Sequence, residues 1–104
     1  MVDAEEARAL ALALPGASEQ DHHGRPSFRV EGKIYATLWT ATALNVMLVD
    51  DLILAAVATS PDVCSPRYWG KRLAAVRVDL DVADASLVGD LLQAAWSQRV
   101  PGRS

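Results

Sequence analysis

Residues 27–39, Ser27-Phe-Arg-Val-Glu-Gly-Lys-Ile-Tyr-Ala-Thr-Leu-Trp39, decide the fold. Phe28 and Val30 alternate with Arg29 and Glu31, and Ile34, Ala36 and Leu38 alternate with Lys33, Tyr35, Thr37 and Trp39. Period-2 alternation predicts strands with one apolar face. Glu31-Gly32 between the runs predicts a tight turn, with glycine supplying the positive φ. The stretch therefore reads as an antiparallel hairpin.

Working outward, Ala43 to Val49 reads as a third strand, joined through Thr40-Ala41-Thr42, with Leu44, Val46 and Leu48 on one side. Ala74 to Leu80 reads as another, burying Val76 and Val78, and Ser18 to Asp21 as a short edge strand. Residues 3–14 predict a helix. Asp3 is placed as its N-cap with Glu6 three residues on, Ala7, Leu10, Ala11 and Leu14 recur at helical spacing, and Pro15-Gly16 ends the run. Asp50-Asp51 is placed to cap a second helix through Thr59, stopped by Ser60-Pro61. Residues 61–72, with two prolines and a glycine, predict a loop. Asp84 is placed to cap a last helix whose apolar stripe is Leu87, Val88, Leu91, Leu92, Ala95 and Trp96. The expected fold is α+β: a curved antiparallel sheet of four to five strands with three helices packed mainly on one face. The tail after Arg99 reads as frayed.

The 104 residues suffice for one domain and not two, so residues 1–104 read as a single domain. With 51% hydrophobic residues the chain can bury a core. A net charge of −3 counts against indiscriminate nucleic-acid binding, which Lys and Arg dominate, but leaves room for a local basic patch. Cys64 is the single cysteine, so no intrachain disulfide can form. Met1-Val-Asp-Ala-Glu-Glu is acidic where a signal peptide is basic, and no apolar run approaches the ~20 residues that cross a bilayer. The expectation is a cytoplasmic protein of a bacterial-type cell with no membrane contact.

The alternation carries a functional expectation. If the apolar parity faces the helices, then Arg29, Glu31, Lys33, Tyr35, Thr37, Trp39, Asn45, Met47 and Arg77 face away. Rings there can stack on bases or a planar ligand, and cations can hold phosphate. An ordinary solvated sheet face or a dimer interface would use the same residues. The stretch Pro66-Arg67-Tyr68-Trp69-Gly70-Lys71-Arg72 places three cations and two rings in seven residues, which suits anion contact or a plug for the end of the core. The expected nucleic-acid or anion site is thus Arg29, Lys33, Tyr35, Trp39, Arg67, Trp69, Lys71, Arg72 and Arg77. Adjacent His22 and His23 point apart in an extended chain and predict no metal site. Cys64 reads as inert. No nucleophile elbow, paired acids, phosphate loop or dinucleotide glycine motif is present, so the expectation is a non-enzymatic domain without cofactor or catalytic residues.

Four short phrases stand at the joints: Leu12-Ala-Leu-Pro-Gly-Ala17, His23-Gly-Arg-Pro-Ser-Phe28, Gly32-Lys-Ile-Tyr-Ala36 and Pro66-Arg-Tyr-Trp-Gly-Lys71. In that order the chain resembles the MmcQ/YjbR-like family from about Ala7 to Trp96. The resemblance implies a compact frataxin-like or double-wing α+β domain and a DNA-binding label that rests on fold likeness. One member among mitomycin-related genes implies ligand sequestration in some relatives. The matching motifs carry over Lys33, Trp69 and Lys71 as positions that matter. Many relatives carry an aromatic after the Gly-Lys, often as Gly-Trp; here the segment is Arg72-Leu73-Ala74-Ala75, which reduces any site built on that ring. The expected function is weak nucleic-acid binding by a monomer or weak homodimer. The alternative is a module for a small aromatic ligand or a protein partner.

Overall fold

Two tight turns organise the sheet. Glu31-Gly32 takes φ 53° and 76°, and His23-Gly24 takes φ 55° and 83°. Positive φ at both central residues gives the turn whose twist matches an antiparallel hairpin. The first joins β2 (Arg25–Val30) to β3 (Lys33–Thr40), and the second joins β1 (Ser18–His22) to β2. The computed structural model describes residues 1–100. From Pro101 on, the tail expected to fray lies outside the described residues.

The remaining elements are α1 (Ala4–Leu12), β4 (Ala43–Val46), α2 (Asp50–Thr59), β5 (Cys64–Trp69), β6 (Arg72–Asp79) and α3 (Ala85–Arg99). The described strands form one antiparallel sheet in the order β1-β2-β3-β4-β6-β5. The α+β class holds, but the sheet has six strands, not four to five. The extra strand is β5, within the expected loop 61–72. Its Pro66 cannot donate to a ladder, and β5 lies at the sheet edge, where proline is tolerated.

Asp3 caps α1, its Oδ1 accepting from the Glu6 N–H at 2.8 Å, and Asp84 caps α3, accepting from the Leu87 N–H at 2.7 Å. Asp50 and Asp51 do not cap α2. They lie in its first turn, where negative charge still suits the helix dipole, and the N-cap is Val49, with no side-chain bond. All three helices pack against the sheet. Phe28, Ala36, Leu38, Leu44, Val46, Val76 and Val78 meet Val88, Leu92, Ala95 and Trp96 of α3 in one core. Trp96 Nε1 donates to the Pro15 carbonyl at 2.8 Å, tying α3 to the chain leaving α1.

The register corrects one expectation on β3. Phe28 pairs with Ala36, but Arg29 pairs with Ile34, so Tyr35 is an extra residue in a bulge. A bulge re-aims the side chains around it. Tyr35, expected on the open face, is fully buried in the helix-side core, and its hydroxyl donates to the Ala11 carbonyl at 2.7 Å. That carbonyl belongs to the last turn of α1, whose acceptors need outside partners. Ile34, expected in the core, lines the open face instead.

Burial pushes the Tyr35 hydroxyl up to about 12 from an ordinary 10. Unfolding releases a phenol that ionises near 10, so this stabilisation is complete below that pH and is lost as pH rises towards 12. Chemical denaturation across this window should show a falling midpoint in the native protein and a flatter profile in Tyr35→Phe. In α3, Leu92 is fully buried while Leu91, expected to be buried, lies only partly covered at the flank of the stripe. Leu92→Ala should cost about 2–5 kcal/mol by urea unfolding, and Leu91→Ala less than half as much as Leu92→Ala.

Candidate ligand-binding site

The open side of the sheet is not a flat wet surface. Ser27 pairs with Thr37, Thr37 with Asn45 and Asn45 with Arg77, so this row faces one way. Ser27, Thr37 and Asn45 are nevertheless buried, as is Met47. The cover on this side is a concavity lined, besides Thr37, Asn45 and Met47, largely by aromatic and basic side chains.

Trp39 is central to that cover. It is the extra residue where the β3–β4 register shifts between Leu38 and Thr40. Two residues beyond the Ser27–Thr37 pair, antiparallel pairing brings Arg25 beside it, and the Arg25 guanidinium sits 3.9 Å from the centre of the Trp39 ring. Arg67, on edge strand β5, brings its guanidinium to 4.9 Å of the same ring. A ring gripped by cations from β2 and β5 links strands near opposite edges of the sheet, so the sheet curves around it.

The curved face encloses a cavity of about 520 Å³. Ile34, Thr37, Asn45, Met47 and Ala74 form its floor, and Trp39 stands in its wall. His22 and His23, at the β1–β2 turn, lie on one rim; Trp69 and Arg72, at the β5–β6 turn, lie on the other. The two histidine rings touch edge to face, with centres 4.4 Å apart. Arg99, from the end of α3, closes a further side, its Nε donating to the Ile34 carbonyl at 3.1 Å. The volume is that of a small-molecule site.

Three buried polar atoms around this cavity have no hydrogen-bond partner: Arg25 Nε, Arg67 Nε and Asn45 Oδ1. Leaving such groups unpaired costs about 1–3 kcal/mol each. Among the described residues no side-chain N or O beyond these three is buried and unpartnered.

Of the residues expected from sequence, the structure brings together Trp39, Arg67, Trp69 and Arg72. Tyr35 is excluded by its bulge. Arg29 is tied back on β2, its Nε donating to Ser27 Oγ at 3.2 Å. Lys33 and Lys71 stand exposed at separate hairpin turns. Arg77 lines a different, polar cavity of about 300 Å³ with Asp62, Asp79 and Asp81. Cys64 is buried there, and burial pushes its thiol up, which disfavours the reactive thiolate. Sequence reasoning overlooked Arg25, Arg99 and the histidine rim. The signal for Arg25 was its place in the His-Gly-Arg-Pro phrase, one residue beyond a two-residue turn. Among the described residues no cluster of three or more His, Cys, Asp or Glu could hold a metal.

A YjbR family model matches residues 12–98, and the chain belongs to that family. The chain is similar to Deinococcus radiodurans protein DR2400, a solved crystal structure with a DUF419 family-model domain. The two share 20% sequence identity at a TM-score of 0.79, over 98% of this chain and 81% of that one, a likeness of fold. No curated protein matches the chain.

The contact between Arg25 and Trp39 should be measurable as a coupling. Urea unfolding of Arg25→Met, Trp39→Leu and the double variant should give an interaction of about 0.5–2 kcal/mol. Additive effects would show that the stacked pair contributes nothing to stability.

Proposed function

For this YjbR-family domain we propose a non-enzymatic role: it holds a small, largely apolar organic molecule in the concave face of the sheet. The observation that carries the reading is the cavity of about 520 Å³, with Trp39 and Trp69 at its sides and Met47 in its floor. Pockets of this size with aromatic walls and a few convergent polar groups are the usual form of a ligand site. The groups present are rings, cations and an amide, which suit holding a molecule. Cys64, a free thiol, fits the reducing cytoplasm. Among the described residues no helix is long and apolar enough to cross a membrane.

Nucleic-acid binding through a basic-aromatic face is the less favoured reading. It needs Arg29, Lys33, Lys71 and Arg77 to form one surface with exposed rings. Instead, Lys33 and Lys71 lie at different turns, Arg77 shares its cavity with three aspartates, and guanidinium groups stack on Trp39.

Fluorescence titration separates the two. The probes are two aromatic dyes, N-phenylnaphthylamine and anilinonaphthalenesulfonate, and a labelled duplex and single strand at low salt. At least one dye should bind at one site per chain and weaken in Trp39→Ala, while neither nucleic acid binds. If neither dye binds, or if dye binding ignores Trp39, the cavity reading fails. Duplex binding that falls steeply with salt would put the nucleic-acid reading in its place.

A further inference from the structure

The polar groups of the cavity narrow the ligand's chemistry. Its described lining contains three arginines and two histidines but no aspartate or glutamate. With Arg67, which reaches Trp39 from β5, four of the ten Lys and Arg residues gather here in a chain of net charge −3. A cluster of cations behind low-dielectric walls raises the potential for an anion. The cations are also not spent on each other's neighbours: Arg25 Nε and Arg67 Nε are buried donors without partners.

Asn45 supplies an independent constraint. It is 2% exposed, lies in the cavity floor, and its Oδ1 is a buried acceptor without a donor. Buried amide oxygens are normally paired. An amide oxygen only accepts, so the group that would satisfy it is an N–H or O–H.

We infer that the ligand is a planar organic anion carrying a hydrogen-bond donor. Its acidic group is taken by the arginines at Trp39 and its N–H or O–H by Asn45 Oδ1. An aromatic carboxylate, sulfonate or phosphate bearing an amine, amide or hydroxyl meets this description. The inference rests on the cavity reading above and specifies its ligand class.

Three probes test it. Anilinonaphthalenesulfonate has an acid and an N–H; N-phenylnaphthylamine keeps the rings and the N–H without the acid; naphthalenesulfonate keeps the acid without the N–H. Calorimetric or fluorescence titration should show anilinonaphthalenesulfonate binding at least about tenfold more tightly than N-phenylnaphthylamine, as charge-assisted hydrogen bonds give. Arg25→Met and Arg67→Met should each erase most of that advantage, whereas Lys33→Met, which removes the same charge at a hairpin turn, should leave it. Asn45→Leu should weaken the two N–H probes about fivefold and leave naphthalenesulfonate unchanged. Urea midpoints of all variants establish that each is folded at the titration temperature. Equal affinity for the charged and neutral dyes would overturn the anion while leaving the cavity in place. Equal loss of all three probes in Asn45→Leu would make Asn45 a packing residue and overturn the donor. Failure of every probe to bind would remove the cavity reading itself.

Discussion

One extra residue in β3 holds the two faces of this protein in place. Because Tyr35 is inserted between the Phe28–Ala36 and Arg29–Ile34 pairs, two neighbouring large side chains exchange sides. Tyr35 enters the helix-side core and reaches the Ala11 carbonyl, so a strand side chain satisfies the end of α1. Ile34 turns to the open face and gives the cavity an apolar floor. The main chain loses little by this. The Tyr35 carbonyl accepts from the Met47 N–H at 2.9 Å, and Ile34 O accepts from Arg99. Without the bulge, a phenol would stand in the cavity and the Ala11 carbonyl would be left with its longer backbone bond, from the Leu14 N–H at 3.4 Å.

The open face then departs from what a solvated sheet requires. A wet face satisfies its polar groups with water and needs no cover. Here Ser27, Thr37, Asn45 and Met47 are buried although they stand on the open side, and Thr37, Asn45 and Met47 share a cavity lining with Trp39 and Arg25. Ser27 finds a partner, its hydroxyl donating to the Gln20 carbonyl at 2.8 Å, but Asn45 Oδ1 and two arginine Nε atoms do not. A sequence selected only for stability would replace such groups by apolar ones, since an unmade buried hydrogen bond costs more than its removal. Under the proposed binding role, the polar groups of a ligand would satisfy these atoms.

Much of the architecture was legible in the sequence because it follows from short-range rules. Asp3 and Asp84 as caps, Glu31-Gly32 as a turn and the α3 stripe are all decided within a few residues. The misreadings share a cause. Strict alternation has no place for an inserted residue, so Tyr35 and Ile34 were put on the wrong sides. Pro66 and Gly70 argued for a loop because a proline breaks a central strand, and only the sheet order shows that β5 lies at an edge. The site was half visible for the same reason. Parity found Trp39, and composition found Arg67, Trp69 and Arg72, but Arg25 and Arg99 reach the cavity through curvature and helix placement, which no local pattern encodes.

The distribution of charge explains how an acidic chain can favour an anion. Carboxylates stay out of the larger cavity: Asp62, Asp79 and Asp81 stand with Arg77 around the second one, while the described lining of the larger contains none. Glu5 and Glu19 are engaged by Arg8, whose guanidinium the hydrogen bond to Glu19 holds above its ordinary pKa. Net charge sets the far field, which salt screens within about 10 Å, whereas a ligand inside the cavity feels the arginines at contact. The acidic exterior therefore disfavours a long polyanion, which must lie across the surface. A small anion, which needs only the cavity, escapes that repulsion.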